Sequence, residues 1–220
     1  MSRAGNEPDK AALKEKAGQW ISTANEKGFL ENRGQMMDMK GNPVPFVLFK
    51  TEAPGVNIWI TEKGLTIQTL KIEEEGERER KREHKGRENG MDKEEEEIKV
   101  YWERVDVELK GAVIKKENIV REGAVQGHFN YFYPHCPDGI YGVKEYERIR
   151  IKEVYPKIDW VLYRTKEGGF KYDFIVHAGG DYRNIELVYK SRKPIQINRG
   201  GEIEVYTAYG DMKEQKPVSY

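Results

Sequence analysis

From Phe29 onward apolar residues recur at every second position, and that period restricts the chain to strands rather than amphipathic helices. Val56, Ile58 and Ile60 alternate with Asn57, Trp59 and Thr61. After the reversal Glu62-Lys63-Gly64, Leu65, Ile67 and Thr69 alternate with Thr66, Gln68 and Leu70, which predicts a β-hairpin. Phe46-Val47-Leu48-Phe49, after Pro43 and Pro45, predicts a strand buried on both faces. Val105, Val107 and Leu109 oppose Asp106, Glu108 and Lys110. Gly127 to Tyr133 reads as an aromatic strand and Pro134 to Gly139 as a polar loop. The clearest hairpin sets Ile158, Trp160 and Leu162 against Phe170, Tyr172, Phe174 and Val176 across residues 165–169. That register leaves Asp159, Val161 and Tyr163 on the other face with Lys171, Asp173, Ile175 and His177. Ile185, Leu187 and Tyr189, then Ile195 and Ile197, then Ile203, Val205 and Thr207 complete the run. The expected fold is all-β, an antiparallel β-sandwich-like domain of about ten to thirteen strands with no interior helix. Uneven strand lengths favour a sandwich over a closed barrel, and the lack of a repeat disfavours a propeller or solenoid.

The 220 residues suit one β-rich domain over 20–220, preceded by an arm over 1–19 that is partly helical or disordered. In the arm, Asp9 caps a short helical stretch that Gly18 stops, and Trp20 and Ile21 are its docking points. Lys and Arg number 38 and Asp and Glu also 38, which excludes the basic surplus of a nucleic-acid binder. Much of the charge sits in residues 73–97, where 19 of 25 positions are charged. A basic centre over 78–87 is flanked by acidic runs that would repel a phosphate partner. The segment is therefore expected to be a solvated or disordered loop with too little apolar surface to order itself. No run approaches the length of a membrane span, so no membrane insertion is expected. One cysteine excludes a disulfide framework.

The reactive side chains give little chemistry. His128, His135 and Cys136 fall close together and His177 is a possible fourth ligand, but the spacing matches no metal signature and no cofactor is expected. Cys136 and His135 are adjacent, so their side chains diverge and a nucleophile–base pair is ruled out. Asp159 and Asp173, facing each other across the hairpin, are the raw material for two-carboxylate hydrolysis. The simpler reading, with Lys171 and Asp181 close by, has these acids ion-paired on a solvated face. Thirteen tyrosines and four tryptophans fill a β core or stack a ligand, with Trp59, Tyr131, Tyr133 and Trp160 as the ligand candidates.

Six stretches in order, FLENRGQM (29–36), APGVNIWITEKGL (53–65), FNYFYPHCPDGI (129–140), VYPKIDWVLY (154–163), FKYDFIVHAGGD (170–181) and EQKPVSY (214–220), carry a resemblance. Together they resemble a bacterial domain of unknown function found near the N-terminus of large surface and secreted proteins. There it commonly precedes SBBP β-propeller repeats, immunoglobulin-like modules and a C-terminal sorting or gliding-motility domain. The resemblance implies an extracellular or cell-surface β-rich module, with no catalytic residues to carry over. Met1 to Lys16 shows no apolar signal region, so the expectation is a fragment or a mis-started gene product. The leading expectation is a non-catalytic structural or interaction module of a multidomain surface protein, partnered by its other domains or by protein or glycan ligands. The alternatives are a carbohydrate-binding module using exposed aromatics, and a glycoside-hydrolase-like enzyme using Asp159 and Asp173.

Overall fold

The computed structural model describes residues 28–53, 56–74, 98–165, 168–207 and 211–219. The expected arm and nearly all of the charged segment 73–97 lie outside these residues. Two compact units are distinguished. The first takes in residues 1–25 and 70–102, and its described part is the ends of two strands. The second, residues 26–69 and 103–220, contains the core and every side chain discussed below.

The described residues form fifteen strands: β1 (Phe29–Glu31), β2 (Val47–Ala53), β3 (Val56–Thr61), β4 (Gly64–Glu74), β5 (Ile98–Leu109), β6 (Ile119–Ala124), β7 (Phe129–Tyr133), β8 (Cys136–Val143), β9 (Glu145–Tyr155), β10 (Ile158–Arg164), β11 (Phe170–Val176), β12 (Leu187–Ser191), β13 (Ile195–Ile197), β14 (Ile203–Val205) and β15 (Met212–Glu214). Two short 3-10 turns, Lys116–Asn118 and Tyr182–Asn184, are the remaining regular elements. The main sheet has ten strands in the order β11-β10-β9-β1-β2-β3-β4-β5-β12, with β6 paired on β9. A three-stranded sheet β13-β14-β15 and a two-stranded sheet β7-β8 stand apart from it. The strand pairings among the described residues are antiparallel, as the alternation requires.

The predicted hairpins hold their register. Ile58 faces Ile67 and Ile60 faces Leu65. Gly64 at their turn has φ +141, and a Cβ there would strike the Val107 carbonyl of β5, so only glycine allows the strands this close. Ile158, Trp160 and Leu162 face Val176, Phe174 and Tyr172. Val47, Leu48 and Phe49 are all buried, as expected of β2, whereas Phe46 lies outside the strand and is half exposed.

The main sheet curls around one core that includes Phe29, Phe49, Ile60, Val107, Ile149, Ile151, Trp160 and Leu162. Each fully buried aliphatic or aromatic side chain contributes about 1.5–3 kcal/mol. The curl brings the two edge strands together: the Tyr172 hydroxyl of β11 and the Tyr189 hydroxyl of β12 both donate to the Glu214 carboxylate of β15. No backbone ladder joins β11 to β12 among the described residues, so the sheet curls but stays open. The sandwich-like class thus arises from one sheet folded over on itself.

Candidate functional site

One departure from the expected strand map creates the most distinctive surface. Pro134 to Gly139 is not a loop: Pro134-His135 is the turn, and β8 begins at Cys136 and runs back along β7. Tyr131 faces Ile140 and Tyr133 faces Cys136, with register shifts that twist the pair. The Asn130 side chain accepts from Gly142 N at 2.9 Å and ties the two strands at a bulge. Two contacts anchor the hairpin to the loop after β1. Arg33 Nη1 donates to the Tyr141 carbonyl at 3.0 Å, and His135 Nε2 lies 3.1 Å from the Gly34 carbonyl.

Because strand side chains alternate, β7 displays two aromatic surfaces. On one, Phe129, Tyr131, Tyr133 and His135 form a continuous row, with centroids 6.4, 5.8 and 5.5 Å apart and interplanar angles of 30°, 29° and 13°. The inner spacings are too short for rings lying side by side in one plane, so each ring turns a face to its neighbour. Burial, and then the nearby Cys136, push the Tyr133 phenol above its ordinary range. On the other surface Phe132 packs edge-on against Tyr141 at 5.4 Å, and the two are 65% and 56% exposed. Large aromatics that open to solvent on a separate small sheet are unusual for a purely structural hairpin.

The carboxylate pair is arranged quite differently. Asp159 is opposite Ile175 and Asp173 is opposite Val161, so the two acids are diagonal neighbours on one face. Asp159 is only 3% exposed, which corrects the solvated-face expectation. Its Oδ2 accepts from Arg150 Nε at 2.8 Å, Arg150 Nη2 at 2.6 Å and His177 Nε2 at 3.0 Å, and its Oδ1 accepts from Glu153 N at 2.8 Å. Burial pushes the pKa of this carboxyl up, but the Glu153 N–H, His177 and Arg150 together outweigh it and hold Asp159 below the ordinary carboxylate range. Glu153 takes a left-handed φ of +52 at the bulge where β9 slips against β10, and Asp159 clamps that bulge. Neither Lys171 nor Asp181 belongs to this cluster. Asp181 caps the turn Tyr182–Asn184 and pairs with Arg183. A carboxylate whose oxygens are filled by four protein donors is a structural clamp rather than an accessible nucleophile or base.

The remaining candidates separate. Trp160 is fully buried, stacked on Phe174 at 6.4 Å and edge-on to Tyr172 at 6.1 Å, so it is a core anchor rather than a surface residue. Trp59 is half-buried on β3 of the main sheet, in register with Lys50 and Thr66, whereas the hairpin forms a separate sheet. Tyr131 and Tyr133 are brought side by side. His177 serves Asp159, and among the described residues no group of three His, Cys, Asp or Glu side chains is placed to hold a metal ion. A hollow of about 70 Å³ between Glu31, Asn32, Phe49, Lys116, Ile119 and Arg121 is well below the size of a ligand pocket, and the Glu31–Arg121 ion pair at 2.5 Å crosses it. The sequence reasoning missed Phe132 and Tyr141. Their signal was an aromatic strand followed, after Pro134, by a second aromatic at the distance a hairpin would require.

An antiparallel β domain with a curled main sheet and an aromatic hairpin defines the class. Residues 29–220 match the family described as Domain of unknown function (DUF7948), and the chain belongs to that family. No curated protein and no solved structure matches the chain.

Proposed function

We propose that this chain is a non-catalytic interaction module that meets its partner through the β7–β8 hairpin. The observation that carries this reading is the exposed Phe132–Tyr141 pair on a sheet separate from the main one. Exposed aromatics at a rigid, outward-facing site are the side chains that anchor interfaces. The polar groups best suited to chemistry, Asp159 and His177, are instead engaged with each other and with Arg150. The setting we propose, a bacterial cell-surface or secreted multidomain protein, is supported by the six motifs and their resemblance.

Carbohydrate recognition is the second reading, favoured by the row that joins Tyr131 and Tyr133. The row's close spacing weighs against it, since a sugar ring stacks on an aromatic face and most faces here are turned to a neighbouring ring. Probing the purified chain on paired arrays of glycans and extracellular-matrix proteins separates the two. Retention of a protein with no glycan retained supports the interaction module. Retention of glycans alone supports the second reading, and cleavage of an arrayed glycan overturns both.

A further inference from the structure

Glu214 holds together two strands that the topology places at opposite ends of the sheet. Neighbours along the main path are joined by backbone ladders, and β10 and β11 alone share seven facing pairs. Between β11 and β12 the described residues show no ladder. There the Tyr172 and Tyr189 hydroxyls meet each other and one carboxylate: Oε1 accepts from Tyr172 and Oε2 accepts from Tyr189 at 2.7 Å. Both tyrosines pack against the core, and Tyr172 does so next to Phe174 and Trp160.

The element that delivers Glu214 is separate from the sheet it closes. β15 is three residues long and among the described residues pairs only with β14, with Ile203 facing Glu214, Glu204 facing Lys213 and Val205 facing Met212. The Lys213–Glu204 ion pair at 3.2 Å and the buried Val205 hold this small sheet together as a unit. A short strand on the edge of a small sheet opens at lower free-energy cost than any strand within the main ladder.

We propose that β15 is a strap that latches the seam of the curled sheet, with Glu214 as its catch, and that releasing it opens the domain locally between β11 and β12. Opening leaves the ladders from β10 through β5 in place and gives solvent access to the aromatic wall of Tyr172, Phe174 and Trp160. The device makes access to the interior depend on the Glu214 carboxylate and the two tyrosine hydroxyls it gathers. It is independent of the hairpin and stands or falls separately from the proposed function.

Hydrogen exchange read by mass spectrometry tests this in the whole chain. Glu214→Gln keeps the side-chain shape and removes the charge. It is expected to speed exchange at least tenfold in residues 170–176, 187–191 and 212–214 while leaving β2, β3 and β9 at wild-type rates. Tyr189→Phe is expected to give the same local pattern, and it decides the matter if Glu214→Gln does not fold. Unchanged exchange at the seam, or equal acceleration in every strand, overturns the strap, because the contact would then be either idle or merely part of the global core.

Discussion

Arg150 donates from both Nε and Nη2 to the single oxygen Oδ2 of Asp159, at 2.8 and 2.6 Å, across the β9–β10 pair. The other oxygen holds the Glu153 N–H, so one buried carboxylate fixes both a neighbouring strand and the bulge that bends it. The β9–β10–β11 layer, which carries the fully buried Trp160 on its opposite face, is therefore clamped from the outside.

Asp159→Asn should be costly. Removing one partner of a buried ion pair leaves the other uncompensated, and a loss of about 3 kcal/mol is expected at neutral pH. The pH dependence follows from the lowered folded-state value of Asp159. Its contribution is fully present above the unfolded carboxyl range, near about 3.9, and is lost as pH falls through the lower folded value. Urea titrations from pH 7 to pH 2.5 should show the gap between wild type and variant narrowing only below about pH 4. A gap that is small at pH 7 would mean the clamp carries little.

Trp160→Ala should remove about 3–5 kcal/mol, the usual cost of emptying a fully buried aromatic site. Guanidinium unfolding checks it, with an unchanged slope showing that the fold itself is retained. A loss below about 1 kcal/mol would be the response of a surface side chain and would contradict the core assignment.

The strand pattern and the 158–176 register were legible because alternation and facing residues are local properties of two neighbouring strands. The burial of Asp159 was not, although Val161 between Asp159 and Tyr163 marked the outer face as less polar than the other residues suggested. Val161 is itself fully buried. The β7–β8 hairpin looks like strand plus loop in the sequence because Pro134, Pro137 and Gly139 resemble loop composition, whereas the turn is short and β8 tolerates both Pro137 and Gly139. The convergence of Tyr172 and Tyr189 on Glu214 depends on the curl of ten strands, a long-range outcome that no periodicity records.

The same tyrosines supply an alkaline signature. Burial first, and then the Glu214 charge, push the Tyr172 and Tyr189 phenols well above the ordinary range. A folded-state value raised in this way adds stability that is present below the unfolded tyrosine range, about 10, and fades as pH rises beyond it. Ultraviolet titration of phenol ionisation should therefore show the more exposed tyrosines ionising first and two remaining silent until the chain unfolds. In Tyr172→Phe one of those late transitions should disappear. Complete ionisation in a single step near pH 10, with the fold intact by circular dichroism, would contradict the buried seam.

The double substitution Phe132→Ser and Tyr141→Ser tests the proposed contact surface most directly, with ligand retention and thermal midpoint measured side by side on one preparation. Both side chains are mostly exposed, so the change in stability should stay within about 1 kcal/mol. Retention of a matrix-protein ligand held by the wild type should fall at least tenfold, as expected on losing interface anchors. A stable double variant that retains the ligand as strongly as its parent would contradict the assignment of the β7–β8 hairpin as the interaction surface.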